Sequence, residues 1–508
     1  DPRVSMPPGQ PAPLAVRAMH AALVQGLVDR RGLIAVEVPA DAPAATLDLA
    51  RELAVDEVLD SSLTCDGRRC SASLRRVDRD GGVLWIRNFT APPDRIVSLR
   101  EAVLSHLNTA YPSAPLRPES PNFTVGAEDY ERFLRLTERY RTRGQGFSSE
   151  QVLDELDELA SSSPHFVAIP LLTAHVALQR HQSSRAPGDA ERAQGAIERA
   201  LTLAPSDPRV LLLAARAARQ AANYGEAKKH LAAVERLEPG HSGAEFQMAL
   251  LHERRGDVEG AKAIVKRVVQ RHPSTYHLLN GADLLYRQGD FDGARALLEQ
   301  GLARSPDRFN GLSRLAQLEL AHGDLERSAD LYRRLVDRAP EETELLNLGT
   351  ALMMLGRLDE AKACFERVVE ANPSSPYATL SLADVTKLAG DGGAARQLYS
   401  RVLELTEDPE GAAQLDSVRA QALAHLGRGD DAVERVQAAV QRRPDHPWVA
   451  YEAALVHALI DDRASALWNA RRALDGGIGR RWFALAWFDP VRAELSEELR
   501  RREAAGET

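Results

Sequence analysis

Residues 342–373 read ETELLNLGTALMMLGRLDEAKACFERVVEANP. Leu345, Leu348 and Leu352 recur at three- and four-residue spacing, so they share one face of a helix. Gly349, on the same helix, lets a second helix approach closely. Gly356 ends the first helix by accepting the left-handed backbone that side chains resist. Leu358, Ala361, Phe365 and Val368 then form the apolar stripe of a second helix, with the small Ala361 where the two helices touch. Cys364 lies on that stripe and is a core position. Pro373 stops the second helix, because the residue before a proline is pushed out of the α region. The unit is a helical hairpin with an apolar face that it cannot bury alone.

The remedy is repetition. Pro205, Pro239, Pro273, Pro306, Pro340, Pro373, Pro409 and Pro444 follow one another at steps of 33 to 36 residues. A small residue recurs in the second helix of each unit, as Ala227, Ala261, Ala294, Ser328, Ala361, Ala395, Ala432 and Ala466. The inter-helix turn recurs as Gly256-Asp257, Gly289-Asp290, Gly323-Asp324, Gly356-Arg357 and Gly390-Asp391. These residues resemble the tetratricopeptide repeat. The resemblance implies an all-α superhelical solenoid of about ten helix pairs over residues 124–475, presenting a concave surface rather than a closed pocket.

Before residue 111 the period changes. Leu14 to Arg30 has helical spacing, Leu33 to Val38 is a short apolar strand, and Ala44 to Ala54 is a second helix. Strands follow over Glu57–Cys65, Cys70–Val77 and Val83–Phe89, the last two joined by the turn Asp78-Arg79-Asp80-Gly81-Gly82. A further helix runs from about Arg95 to Ala110. This predicts a small α/β domain, a mixed sheet with helices against it, over residues 1–110. Residues 111–123 are proline-rich and read as a linker.

The string LARELAVDEVLDSSLTCDGRRCSASLRRVDRDGGVLW (residues 49–85) resembles the amino-terminal domain of TolB, with Ala50-Arg51, Val55, Val58-Leu59, Ser62, Gly67, Leu74, Gly81 and Trp85 at matching positions. That domain's usual first strand, apolar and ending in Pro-Phe, is either missing here or reduced to Arg3-Val4-Ser5-Met6. In bacteria such a domain followed by tetratricopeptide repeats forms the sensory or scaffolding region of one-pass signalling proteins, transmembrane serine/threonine kinases above all. The resemblance therefore implies an extracytoplasmic, periplasmic module of that kind. The alternatives are a cytoplasmic regulatory region of a transcription regulator or adenylate cyclase, and an envelope assembly factor. The chain opens at Asp1 with its first methionine at Met6, and the expectation is an anchor or further domain upstream.

Bulk composition agrees with an interaction module. With 64 Lys plus Arg against 73 Asp plus Glu the net charge is −9, and no basic block marks a nucleic-acid face. No 18-residue apolar run is present to span a membrane. Cys65 and Cys70 flank Asp66-Gly67-Arg68-Arg69 between two strands, where opposed residues lie close enough for a disulfide; such a bond belongs to an oxidising compartment. No P-loop, HRD, DFG, HExxH or GxSxG motif occurs. The expectation is a protein without enzymatic activity, metal or cofactor.

The repeat resemblance also assigns a partner groove to the first helix of each pair. Its positions here are Arg216, Phe246, Arg254, Tyr276, Asp283, Tyr286, Arg287, Asn310, Gln317, Tyr377, Asp384 and Lys387, with Arg209, Trp448 and Tyr451 beyond them. Tyrosine and arginine combine contact area with a polar handle, which suits a protein or peptide ligand. Leu279, Leu346 and Leu380 stand where a chaperone-tail carboxylate clamp would need polar or basic groups. The last stretch, residues 476–508, breaks the period; Trp482, Phe483, Trp487 and Phe488 are expected to plug the end of the last repeat.

Overall fold

The computed structural model describes residues 3–5, 14–34, 50, 55–65, 69–92, 95–117, 125–142, 147–184, 187–306, 308–407 and 415–505. The chain divides into two compact units, Asp1–Leu284 and Leu285–Thr508.

The first unit begins with a four-stranded sheet in the order β1-β2-β3-β4. Strand β1 (Arg3–Ser5) pairs parallel with β2 (Glu57–Cys65), so the reduced first strand is present. Strands β2, β3 (Cys70–Asp78) and β4 (Val83–Ala91) run antiparallel. Their alternation turns Leu63, Ala72 and Leu74 inward against helices α1 (Leu14–Val28) and α2 (Ile96–Ala110). Met19, Leu99, Val103 and Leu107 of those helices complete the core. Gly26 makes the packing possible, since a Cβ there would fall 2.3 Å from Leu107 Cδ1. The expected helix at 44–54 and most of the expected strand at 33–38 lie outside the described residues.

The repeats follow as hairpins. In the first unit these are α3 (Ala127–Thr142) with α4 (Ser149–Ser162), α5 (Ala168–Ser184) with α6 (Pro187–Leu203), α7 (Pro208–Gln220) with α8 (Tyr224–Leu237), and α9 (Ser242–Arg254) with α10 (Val258–Arg271). Helix α11 (Thr275–Arg287) contains the division between the units and precedes α12 (Phe291–Arg304). The second unit continues with α13 (Phe309–His322) and α14 (Leu325–Arg338), α15 (Glu342–Met354) and α16 (Leu358–Ala371), and α17 (Pro376–Leu388) and α18 (Gly392–Leu405). It ends with α19 (Asp416–His425) and α20 (Gly429–Arg442), α21 (Pro447–Leu459) and α22 (Arg463–Asp475), two 3-10 turns (Arg480–Ala484 and Ala486–Val491) and α23 (Arg492–Ala505).

Each repeat signature has its physical counterpart. All eight small residues of the second helices are fully buried, and the exceptional Ser328 satisfies its hydroxyl by donating to the Ala316 carbonyl at 2.8 Å. Gly256, Gly289, Gly356 and Gly390 adopt φ between 74° and 93°, and Asp257, Asp290 and Asp391 then cap the second helix by accepting a backbone N–H. Gly323 departs from its siblings: its φ is −118° and ψ −132°, so its carbonyl faces a different way.

Residues 111–117, read from composition as linker, are built into the first unit. Tyr111, Ala114 and Arg117 are buried. Arg30 donates to the Ala114 carbonyl at 2.9 Å, and Arg117 Nε donates to the Val28 carbonyl at 3.1 Å. Arg117 also forms a buried ion pair with Glu238 at the end of α8. One hydrophobic cluster accordingly runs from Ala15 through Tyr130 and Leu153 to Ala214, joining the α/β domain to the first repeats. Residues 118–123 of the expected linker lie outside the described residues.

Candidate functional site

First helices of successive pairs touch one another, as α5 with α7 and α7 with α9 in the first unit, and α13 with α15, α15 with α17 and α17 with α19 in the second. They therefore form a continuous row within each unit, and the predicted groove residues lie on these helices. Phase in the repeat decides the face. Whether a side chain on that face is open to a partner depends on what else packs there.

In the first unit, Tyr276 is 53% exposed and Arg254 is exposed. Phe246 is used internally, stacked on His277 with centroids 5.6 Å apart and planes at 9°. Burial holds the His277 imidazole down at about 4, so it is neutral there. Arg209 is committed to Asp207, its Nη2 lying 2.6 Å from Oδ2. Arg209 also faces Asp29 at the end of α1, whose carboxyl burial raises to about 6 against that guanidinium. Arg216 and Asp283 are half-buried.

In the second unit, Asn310, Gln317 and Arg287 are exposed and Tyr377 is 50% exposed. Asp384 and Lys387, expected in an open groove, are not available there. Asp384 is only 8% exposed; it accepts from Tyr399 Oη and from Gln421 Nε2, both at 2.8 Å. Burial raises its carboxyl to about 7, against the hydrogen bonds from Tyr399 and Gln421 and the charge of Lys387. Lys387 Nζ lies 2.8 Å from His425 Nδ1 and 5.4 Å from the centroid of Trp487. Burial, with Lys387 beside it, holds His425 down at about 3. Asp384 is enclosed by α18 and α19, and Lys387 by the carboxy-terminal segment through Trp487.

That segment does more than plug the last repeat. Phe483, Trp487, Phe488 and Val491 pack with Tyr451, Ala454 and Leu388, drawing on both α21 and α17. Trp482 stands edge-on to Trp448 at 4.9 Å, and its carbonyl accepts from Tyr451 Oη at 3.2 Å. Arg481 reaches farther still. Its Nη1 donates to the carbonyls of Glu319 at 3.0 Å and Leu320 at 3.3 Å, and its Nη2 donates to that of Gly323, at the end of α13. The altered Gly323 turn aims its carbonyl at this guanidinium.

Beside it lies a cavity of about 370 Å³ lined by Tyr286, Arg287, Phe291, His322, Trp448, Trp482 and the glycine run 476–479. Phe291 and His322 stack at 3.6 Å, with Tyr286 edge-on to both. Burial, then the charges of Arg481 and Arg295, holds His322 down at about 4, so this wall is neutral and aromatic at physiological pH. Sequence reasoning found Tyr286, Arg287 and Trp448. It missed His322, Phe291 and Arg481; the readable signal was GGIGRRW, a glycine-hinged arginine and aromatic run outside the repeat period.

Cys65 and Cys70 oppose each other at the end of the β2–β3 pairing, with their sulfurs bonded at 2.04 Å. Among the described residues no cluster of His, Cys, Asp and Glu could hold a metal, and no helix is long and apolar enough to cross a membrane.

A family model described as tetratricopeptide repeat matches residues 212–276, 279–343, 346–412 and 389–447. Similar solved structures include a tetratricopeptide repeat protein from Parabacteroides merdae, 17% identical over 49% of this chain and 98% of that one, with a TM-score of 0.38. A thermophilic repeat protein from Thermus thermophilus is 23% identical over 35% of this chain and 95% of its own, at a TM-score of 0.30. The carboxy-terminal part of a repeat-containing protein from Cytophaga hutchinsonii is 14% identical over 47% and 98%, at 0.36. No curated protein matches the chain.

Proposed function

Starting from a tetratricopeptide repeat array across residues 212–447, we propose that the chain is a non-catalytic interaction scaffold binding a protein or peptide segment along the inner face of its first helices. The observation that carries this reading is the exposure of large aromatic side chains on first helices within each unit, Tyr276 at 53% in the first and Tyr377 at 50% and Trp448 at 39% in the second. A monomer gains nothing from leaving such groups in water, whereas an interface draws on them heavily. Asn310 and Gln317 on α13 supply exposed amides for a ligand's main chain.

The module further serves, in this proposal, as the extracytoplasmic sensory region of a bacterial membrane-anchored signalling protein such as a serine/threonine kinase. The TolB-like pattern of residues 49–85 supports this assignment, and the bonded Cys65–Cys70 pair suits an oxidising compartment.

The test is capture of cross-linked partners from a native envelope extract on immobilised chain, beside a bait carrying Tyr276→Ala and Tyr377→Ala. A partner bound by the first and lost by the second is the expected result. Identical partners on both baits would refute binding through these tyrosines. Thiol labelling of Cys65 and Cys70 in the native host tests the compartment: free thiols would favour a cytoplasmic regulatory region instead.

A further inference from the structure

We propose that the inner face of the second unit is a peptide site already occupied by the chain's own residues Gly479–Trp482, and that its external partner is an extended segment of the same chemistry, an arginine next to an aromatic residue. This rests on the groove-binding reading above and gives it a ligand class and a resident competitor.

A cap on a repeat array needs only to cover the last helix pair. Phe483, Phe488 and Val491 do that, buried against α21 and α22. The Arg481 side chain has no such role, because it docks on α13, four pairs earlier, while Trp482 stays against Trp448 and Tyr451 of the last pair. There the guanidinium donates to the carbonyls of Leu320 and Gly323 and to that of Glu319, which also accepts the Gly323 N–H. Carbonyls at a helix end lack intrahelical partners and carry the negative end of the helix dipole, so a forked cation is their natural ligand. Gly323, at φ −118° where Gly256, Gly289, Gly356 and Gly390 are left-handed, presents one of those carbonyls.

The remaining contacts are those a bound peptide makes. Tyr451 Oη donates to the main-chain carbonyl of Trp482, and the Trp482 ring stands against Trp448. Gly479 runs so close to α13 that a Cβ would lie 2.5 Å from the Ala321 carbonyl oxygen. The arm enters through Gly476 and Gly477, the latter at φ +89°, and proceeds as a 3-10 turn rather than a helix. The adjacent cavity, walled by Tyr286, Phe291 and His322, gives an incoming aromatic side chain a place to seat before the arm is released.

The probe is a fluorescein-labelled peptide of residues 479–485 (GRRWFAL), read by anisotropy against the full chain and against an Arg481→Ala, Trp482→Ala variant that keeps Phe483, Trp487 and Phe488. Binding to the variant should be at least about tenfold tighter than to the parent, since the site is vacated; a peptide with both arginines replaced by glutamate should bind neither. Equal binding to parent and to a variant with unchanged helical circular dichroism would overturn the proposal. Should the variant lose helicity, hydrogen exchange on the parent decides. Saturating peptide should speed exchange at residues 479–482 and leave Phe483, Phe488 and Val491 protected, and unchanged exchange at 479–482 overturns the idea. Loss of partner capture through Tyr276→Ala and Tyr377→Ala, together with no peptide exchange, would leave the groove reading intact and remove only the self-occupancy.

Discussion

Gly349→Ala is the sharpest test of how the hairpins pack. A Cβ at this position would fall 2.5 Å from Phe365 Cε1, 2.7 Å from Cζ and 3.0 Å from Cδ1, whereas carbon atoms in contact sit about 3.5–4.0 Å apart. The Phe365 ring is fully buried between α15 and α16, so it has no free space to retreat into. Either the two helices part by about 1 Å or the ring leaves its rotamer, and overpacking of this kind costs about 1–3 kcal/mol. Replacing a mid-helix glycine by alanine returns about 1 kcal/mol through helix propensity. The net expectation is a loss of up to about 2 kcal/mol, read as a lower urea midpoint at unchanged slope with circular dichroism as the probe. Phe365→Leu should relieve the clash, so the double variant should be more stable than the sum of the singles predicts, by about 1 kcal/mol. A Gly349→Ala chain more stable than its parent, or strict additivity with Phe365→Leu, would refute close approach as the reason for this glycine.

Asp384→Asn tests the covered network. Because burial raises the Asp384 carboxyl from 3.8 to about 7, the folded chain holds a proton that the unfolded chain gives up. Its stabilising contribution is present below pH 3.8 and is lost as the pH rises through about 7. The parent should therefore lose stability relative to the uncharged variant over that window, by at most about 1.4 kcal/mol per pH unit; a difference flat with pH in thermal melts would contradict it. In the first unit, Glu238→Ala strands the buried Arg117 guanidinium and should cost about 3–5 kcal/mol. Glu238→Ala made together with Arg117→Met should recover much of that loss, and no recovery in denaturant melts would place the cost elsewhere.

The solenoid was legible because its determinants are local and repeated. The proline period, the buried small residue and the glycine–aspartate turn each act within one hairpin, so a single unit such as 342–373 states the rule for the rest. Strands β2, β3 and β4 were legible for the same reason, through alternation and the turn at 78–82. What sequence could not supply were contacts between distant segments. Arg117 reads as part of a proline-rich linker, yet it pairs with Glu238, 121 residues later. Arg481 reads as a surface arginine, yet it serves the end of α13, some 160 residues earlier. Neither contact leaves a periodic trace, because each occurs once.

The same distinction separates the groove residues that are open from those that are not. Repeat phase places Tyr276, Tyr377, Asp384 and Lys387 alike on first helices. The first two are half exposed. The latter two are roofed by Trp487 and bound into a network with Tyr399, Gln421 and His425. Asp384 is held by Tyr399 and Gln421 and Lys387 by His425, and buried polar groups of this kind are costly to leave without such partners. The Arg481 guanidinium makes its contacts on α13, away from that network. The chain thereby keeps a permanent cap over the polar network and an arm over the carbonyls of α13, and only the arm has the contacts of a ligand that another segment could replace.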